Sequence, residues 1–118
     1  MRVVAGLIAQ DEKILLARRL LNKSFAEYWE IPGGKVEENE SDEDAIQREL
    51  SEELGIEVTD FNKVCEYTVN DIDAVIFNIQ SWQRVAYGKE GQTIHWYRKD
   101  ELENVLLTPL THEAMYNK

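Results

Sequence analysis

Two short apolar runs open the chain, Arg2 to Ala9 and Lys13 to Arg18, both rich in Val, Ile and Leu and split by the polar Gln10-Asp11-Glu12. This pattern predicts two strands paired as a β-hairpin, both in a central sheet. Asn22 to Glu27 is polar and reads as a loop. Trp29-Glu30-Ile31 follows as a short strand that Pro32-Gly33-Gly34 should end. Ser41 is a helix N-cap, Asp42, Glu43 and Asp44 suit the first turn, and Gly55 is a natural terminator after Leu54. Within that helix the 3.6-residue period puts Ile46, Leu50 and Leu54 on one stripe and Glu49, Glu52 and Glu53 on an adjoining face. Phe61 to Val69 and Asp73 to Val85 read as strands joined by an Asn70-Asp71 turn, with Val75, Phe77 and Ile79 alternating as a buried face. Ala86 to Gln92 is a loop, Thr93 to Arg98 returns to strand character, and Thr108-Pro109 begins a short C-terminal helix. No repeat, low-complexity tract or linker interrupts this order, so one domain is expected over 1–118.

Composition sharpens the picture. A chain of 118 residues, 43% hydrophobic and with two prolines, fits one ordinary core rather than a disordered or repeat protein. Its formal charge is −10, and the imbalance is local. Glu37 to Asp60 holds eleven acids against the single base Arg48, while the rest of the chain holds twelve of each sign. Such a surplus repels nucleic-acid polymers and anionic membrane faces. The lone Cys65 excludes an internal disulfide framework and fits a reducing, cytoplasmic setting. No apolar run approaches the ~18 residues of a spanning helix. The Val3 to Ala9 run lacks the basic lead of a secretory leader.

Three carboxylates at i, i+3 and i+4 repel one another by roughly 0.2 to 0.5 kcal/mol per helical pair. Either they form a solvated acidic face, or a hard cation offsets them, since Mg²⁺ and Mn²⁺ take oxygen ligands from a few carboxylates, waters and substrate phosphates.

The neighbouring residues bear on that choice. Gly34, five residues, Glu40, seven residues, Arg48-Glu49-Leu50, one residue, Glu52-Glu53, one residue and Gly55-Ile56 match every defined position of the Nudix box. At average residue usage, a chance match somewhere in the chain has odds on the order of 10⁻⁸. The sequence resembles a Nudix hydrolase of the MutT-like branch. Trp29-Glu30-Ile31-Pro32-Gly33-Gly34-Lys35 looks like the segment leading into that box, and Gly88-Lys89-Glu90-Gly91-Gln92 like the later metal-binding loop. The resemblance implies an α/β (α+β) fold, an α/β/α sandwich around a mixed β-sheet. It implies Glu49, Glu52, Glu53, Glu90 and the Gly33 carbonyl as ligands of Mg²⁺ or Mn²⁺, Arg48 as the residue that holds the carboxylates, and Glu40 as a support of the loop and helix start. Lys35 and Arg19, with Arg18 beside it, would contact polyphosphate. Glu49 is the first choice of general base and Glu90 the second.

The implied reaction is hydrolysis of a nucleoside triphosphate to monophosphate and pyrophosphate by a monomer or small homo-oligomer. Relatives that act on oxidised guanine nucleotides often place an Asn near the C-terminal helix to read the base; here Thr111 falls there, and a hydroxyl cannot make the two-point contact of an amide. Cytidine triphosphates therefore compete as substrates. Other diphosphate-linked compounds (nucleotide sugars, ADP-ribose, dinucleoside polyphosphates) form a second reading, and a binding module without catalysis a third. His95 and His112 lack ligand-like spacing and are expected to be structural. Trp82, Trp96 and Tyr97 suit packing, while Tyr28 and Trp29 lie near the expected substrate mouth.

Overall fold

A computed structural model describes residues 1–116; residues 117 and 118, the end of the expected domain, lie outside the described residues. The elements are β1 (Arg2–Gln10), β2 (Lys13–Arg18), β3 (Trp29–Glu30), β4 (Gly33–Lys35), α1 (Asp42–Leu54), β5 (Glu57–Val69), β6 (Ile72–Gln83), β7 (Ile94–Arg98), a 3₁₀ turn (Lys99–Asn104) and α2 (Pro109–Tyr116).

The seven strands form one mixed sheet around β1. β1 runs parallel to β6 from Arg2↔Asp73 to Ile8↔Ile79. Its other edge pairs antiparallel with β4 at Val3, Val4 and Ala5, and with β2 only at Ala9↔Ile14 and Gln10↔Lys13. The expected first hairpin thus exists, but its arms separate after two residue pairs. β2 then takes β7 over five residues and β3 at Ala17 and Arg18. This parting opens room along β1 for β4, so Gly33-Gly34 continue as a strand instead of only ending one. Glycine is what fits there: a Cβ on Gly33 would run into the Val4 carbonyl.

Three further boundaries differ from the pattern. β5 begins at Glu57 rather than Phe61, because Ile56 and Val58 point inward while Glu57, Thr59 and Asp60 face water. β6 spans Ile72–Gln83 rather than 73–85, and Lys99–Asn104, to which the pattern assigns no element, forms a 3₁₀ turn. The Asn70-Asp71 turn has both φ angles positive, 49° and 67°, the geometry whose twist suits a two-residue hairpin.

The sheet is buried on both faces. Val4, Ile8, Leu15, Val75, Phe77 and Ile79 meet Ile46, Leu50 and Leu54 of α1 on one side. Ala5, Leu7, Ile14, Leu16 and Ile76 meet Leu102 and Ala114 on the other. This alternation makes the expected α/β/α sandwich, with α1 on one face and α2 with the 3₁₀ turn on the other. Trp82 and Trp96 stack at 6.4 Å against the first core, as packing residues. His95 sits edge-on to Tyr97 and Trp29, and His112 against Tyr116. Among the described residues no helix is long and apolar enough to cross a membrane.

Candidate active site

α1 begins as its sequence dictates: the Ser41 side chain accepts the Asp44 N–H at 3.0 Å, and Gly55, at φ 69°, ends the helix in the left-handed region. With the Ile46, Leu50, Leu54 stripe fully buried, Glu49 and Glu53 are carried to the edge where β4 passes. There the Gly33 N–H donates to Glu53 Oε2 at 2.9 Å. Gly34 lies so near Glu49 that a Cβ would strike its carboxylate.

Both carboxyls are held away from their ordinary acidity. Burial pushes Glu53 up to about 8, the nearby charge of Glu30 adds to it, the Gly33 N–H opposes it, and Glu49 and Glu90 push the same way. Burial also raises Glu49, against the pull of Arg48 and with Glu52 and Glu90 adding repulsion. Glu53 therefore feels Glu30, Glu49 and Glu90, and Glu49 feels Glu52 and Glu90.

Arg48 organises the outer side of this group. Its Nε and Nη2 donate to the two Glu40 oxygens at 2.7 and 2.9 Å, and Nη2 also donates to the Lys35 carbonyl at 2.9 Å. Nη1 donates to Glu49 Oε1 at 2.9 Å and Glu52 Oε2 at 3.2 Å, and Glu37 lies 3.1 Å from Nε. One guanidinium thus ties α1 to the chain just after β4. Glu40 in turn accepts the Glu37 N–H at 3.0 Å, closing the turn before the helix. The contact with Arg48 pulls the Glu40 carboxyl down to about 2.

Glu90 rides an exposed loop fastened to the end of α1. The Lys89 N–H donates to the Glu53 carbonyl at 3.0 Å and the Tyr87 N–H to the Leu54 carbonyl at 3.1 Å. Gly55 makes room for the Tyr87 ring, which any Cβ there would strike.

The expected substrate contacts are distributed unevenly. Lys35 is exposed at the end of β4. Arg19 is engaged: its Nη1 pairs with Glu30 at 2.9 Å and its Nε donates to the Ser24 carbonyl at 2.6 Å. Arg18 lies over the Trp29 ring, 5.9 Å from its centroid, and Trp29 packs on the second core, the face away from α1. Thr111 departs from the expectation of a base-reading position. It is 1% exposed, and its hydroxyl oxygen accepts the Ile31 N–H at 3.0 Å and the Thr108 hydroxyl at 2.9 Å, so it fastens α2 to the segment before Gly33. Glu30 was missed by the pattern reading, although strand alternation from buried Ile31 puts it on the side of the glutamates.

Among the described residues no three His, Cys, Asp or Glu side chains are gathered into a ready-made cation cage, since Glu49 and Glu52 turn to Arg48 and Glu53 to the Gly33 amide. The chemistry of the donors nevertheless fits a hard divalent cation. They are all oxygens, and such an ion favours the charged forms that burial first, and neighbouring carboxylates second, disfavour in Glu49 and Glu53.

A mixed sheet sandwiched by helices, with a glutamate-lined helix closed by an arginine over a Gly-Gly strand, defines a class, and residues 1–115 match the NUDIX domain: the chain belongs to that family. Its relatives are MutT-like. The CTP pyrophosphohydrolase of Escherichia coli (strain K12) is 37% identical over 115 residues, 91% of this chain and 82% of that protein. The 8-oxo-dGTP diphosphatase of Buchnera aphidicola subsp. Schizaphis graminum is 35% identical over 103 residues, 86% of this chain and 79% of that protein. The crystal structure of a MutT NUDIX hydrolase from Burkholderia pseudomallei has a TM-score of 0.89 at 27% identity, over 97% of this chain and 94% of that one.

Proposed function

We propose that this chain hydrolyses nucleoside triphosphates to nucleoside monophosphate and pyrophosphate with a divalent cation, Mg²⁺ or Mn²⁺. The observation that carries the proposal is the joining of Glu49, Glu52 and Glu53 on α1 to Gly33-Gly34 and to the Glu90 loop by Arg48, the Gly33 amide and the Glu53 carbonyl. Family membership and relatives named for CTP and 8-oxo-dGTP support it.

In this reading Glu49, Glu52, Glu53, Glu90 and the Gly33 carbonyl hold the cation. When bound, it neutralises phosphate oxygens and lowers the pKa of the attacking water. Glu49 would accept the proton of the attacking water, with Glu90 as the second candidate. Arg48 touches no substrate and fixes the carboxylates. Lys35, whose charge is exposed at the end of β4, meets the polyphosphate. Arg19 and Arg18 are the further candidates for that contact, the first paired with Glu30 and the second lying over Trp29. The base is read elsewhere than at Thr111, whose oxygen already accepts two internal hydrogen bonds.

A nucleotide panel tests the reading: CTP, dCTP, dGTP, 8-oxo-dGTP, ADP-ribose, a nucleotide sugar and a dinucleoside polyphosphate, each with Mg²⁺ or Mn²⁺ and with products identified. Monophosphate plus pyrophosphate from at least one triphosphate is expected. Turnover confined to the diphosphate-linked compounds would replace the triphosphate reading.

A further inference from the structure

The loop that carries Glu90 has no strand or helix of its own to fix it. It is held instead by the end of α1, where the last carbonyls of a helix lack intrahelical donors. Tyr87 and Lys89 supply backbone N–H groups to Leu54 and Glu53, at 3.1 and 3.0 Å. The third donor is a side chain: Gln92 Nε2 donates to the Glu53 carbonyl at 3.0 Å. The same amide group faces the other way with its oxygen, for Gln92 Oε1 accepts the Glu90 N–H at 3.0 Å. One half-buried side chain therefore joins the backbone of the loop glutamate to the backbone of the helix glutamate. The loop is wound to allow it. The Gly91 N–H donates to the Gly88 carbonyl at 3.0 Å, Gly91 has φ 88°, and a Cβ on Gly88 would strike the Gln92 carbonyl.

We infer that Gln92 is a positioning residue for hydrolysis, setting the distance between Glu90 and Glu53 through its two-sided amide. The inference rests on the reading that Glu90 acts together with Glu49, Glu52 and Glu53. Only an amide of this length serves. A leucine offers neither bond, an asparagine is one methylene short, and a glutamate keeps the acceptor for Glu90 but turns the donor to Glu53 into a repelled oxygen. Groups that orient ligating carboxylates typically change metal affinity or activity ~10- to 100-fold when removed.

The test is a double-mutant cycle on the full chain, with kcat/KM and the half-saturating Mg²⁺ concentration measured for the parent, Glu90→Gln, Gln92→Leu and the double variant. Each single substitution is expected to lower kcat/KM by ~10- to 100-fold. Gln92→Leu should raise the Mg²⁺ requirement and, placed on the Glu90→Gln background, cost less than about threefold more, because it acts through Glu90. Losses that multiply in the double variant would overturn the inference, as would parent-like activity of Gln92→Leu beside an impaired Glu90→Gln. Parent-like activity of Glu90→Gln would remove the reading of Glu90 itself, and the inference with it. Should Gln92→Leu fail to fold, Gln92→Glu keeps the test open: it keeps the acceptor for the Glu90 N–H, replaces the donor to Glu53 by a repelled oxygen, and should show the same dependence on Glu90.

Discussion

Arg48 grips Glu40 with two guanidinium nitrogens, at 2.7 and 2.9 Å, while its third nitrogen reaches Glu49 and Glu52. The pair ties the chain before α1 to the middle of that helix, and the same guanidinium gathers Glu49 and Glu52 and reaches the Lys35 carbonyl of β4. Arg48→Lys keeps the charge but loses the fork that binds two oxygens at once. Its kcat/KM should fall ~10- to 100-fold, and Glu40→Gln should follow in the same direction. Steady-state kinetics with thermal melts check this, since the loss should exceed what any drop in Tm explains.

Gly34 and Gly33 separate site from fold. A Cβ on Gly34 meets the movable end of Glu49, whereas one on Gly33 meets the Val4 backbone. Gly34→Ala should therefore fold with a Tm loss of about 4 °C or less and lose activity at least ~10-fold. Gly33→Ala should cost about 2 kcal/mol or more of stability. Parallel melts and assays of the two variants give the comparison.

Thr111→Ala leaves the Ile31 N–H without its acceptor at a buried site. An unsatisfied buried donor costs about 1 to 3 kcal/mol, which for a domain of this size lowers Tm by roughly 4 to 12 °C. Thr111→Ser should stay near the parent. The order of preference among nucleotides should be the same in all three proteins; a changed order would return Thr111 to the base-binding residues.

Stability should also depend on pH through Asp42. Arg2 binds its two oxygens at 2.8 and 2.7 Å and Lys63 adds a contact at 3.2 Å, pulling the carboxyl from its usual 3.8 to about 2. Because the folded value is depressed, the ionised form favours the fold: the contribution is complete above pH ~4 and is lost as pH falls through about 2. Asp42→Asn should cost about 1 kcal/mol at pH 7. Urea unfolding at pH 7, 4 and 2.5 should show the gap between parent and variant closing as the pH falls.

Much of this was legible in the chain, for reasons that differ between residues. Ser41, Gly55 and the Ile46, Leu50, Leu54 stripe define α1 because capping and periodicity are local properties. The glutamates were visible because the box spacing is long and specific, and Val75, Phe77 and Ile79 because strand alternation is local too. What escaped depends on partners distant in sequence. Gly33-Gly34 form a strand only because β1 and β2 part after two residue pairs. The start of β5 was masked by Glu57 and Asp60, both exposed, the pairing with β6 being irregular between Val58 and Asp60. The engagement of Arg19 with Glu30, the burial of Thr111 and the two-sided grip of Gln92 arise from loops folding back on the sheet and helix, and no spacing rule announces them.

The central claim is that the carboxylates joined across α1, β4 and the Glu90 loop act with a divalent cation on a nucleoside triphosphate. Its most direct test is kcat/KM for the best triphosphate with Mg²⁺ and with a chelator, for the parent and for Glu53→Gln, which can still accept the Gly33 N–H. Chelation and Glu53→Gln should each reduce hydrolysis by at least about 100-fold. Release of monophosphate and pyrophosphate that survives either change at more than about half the parent rate would contradict the account.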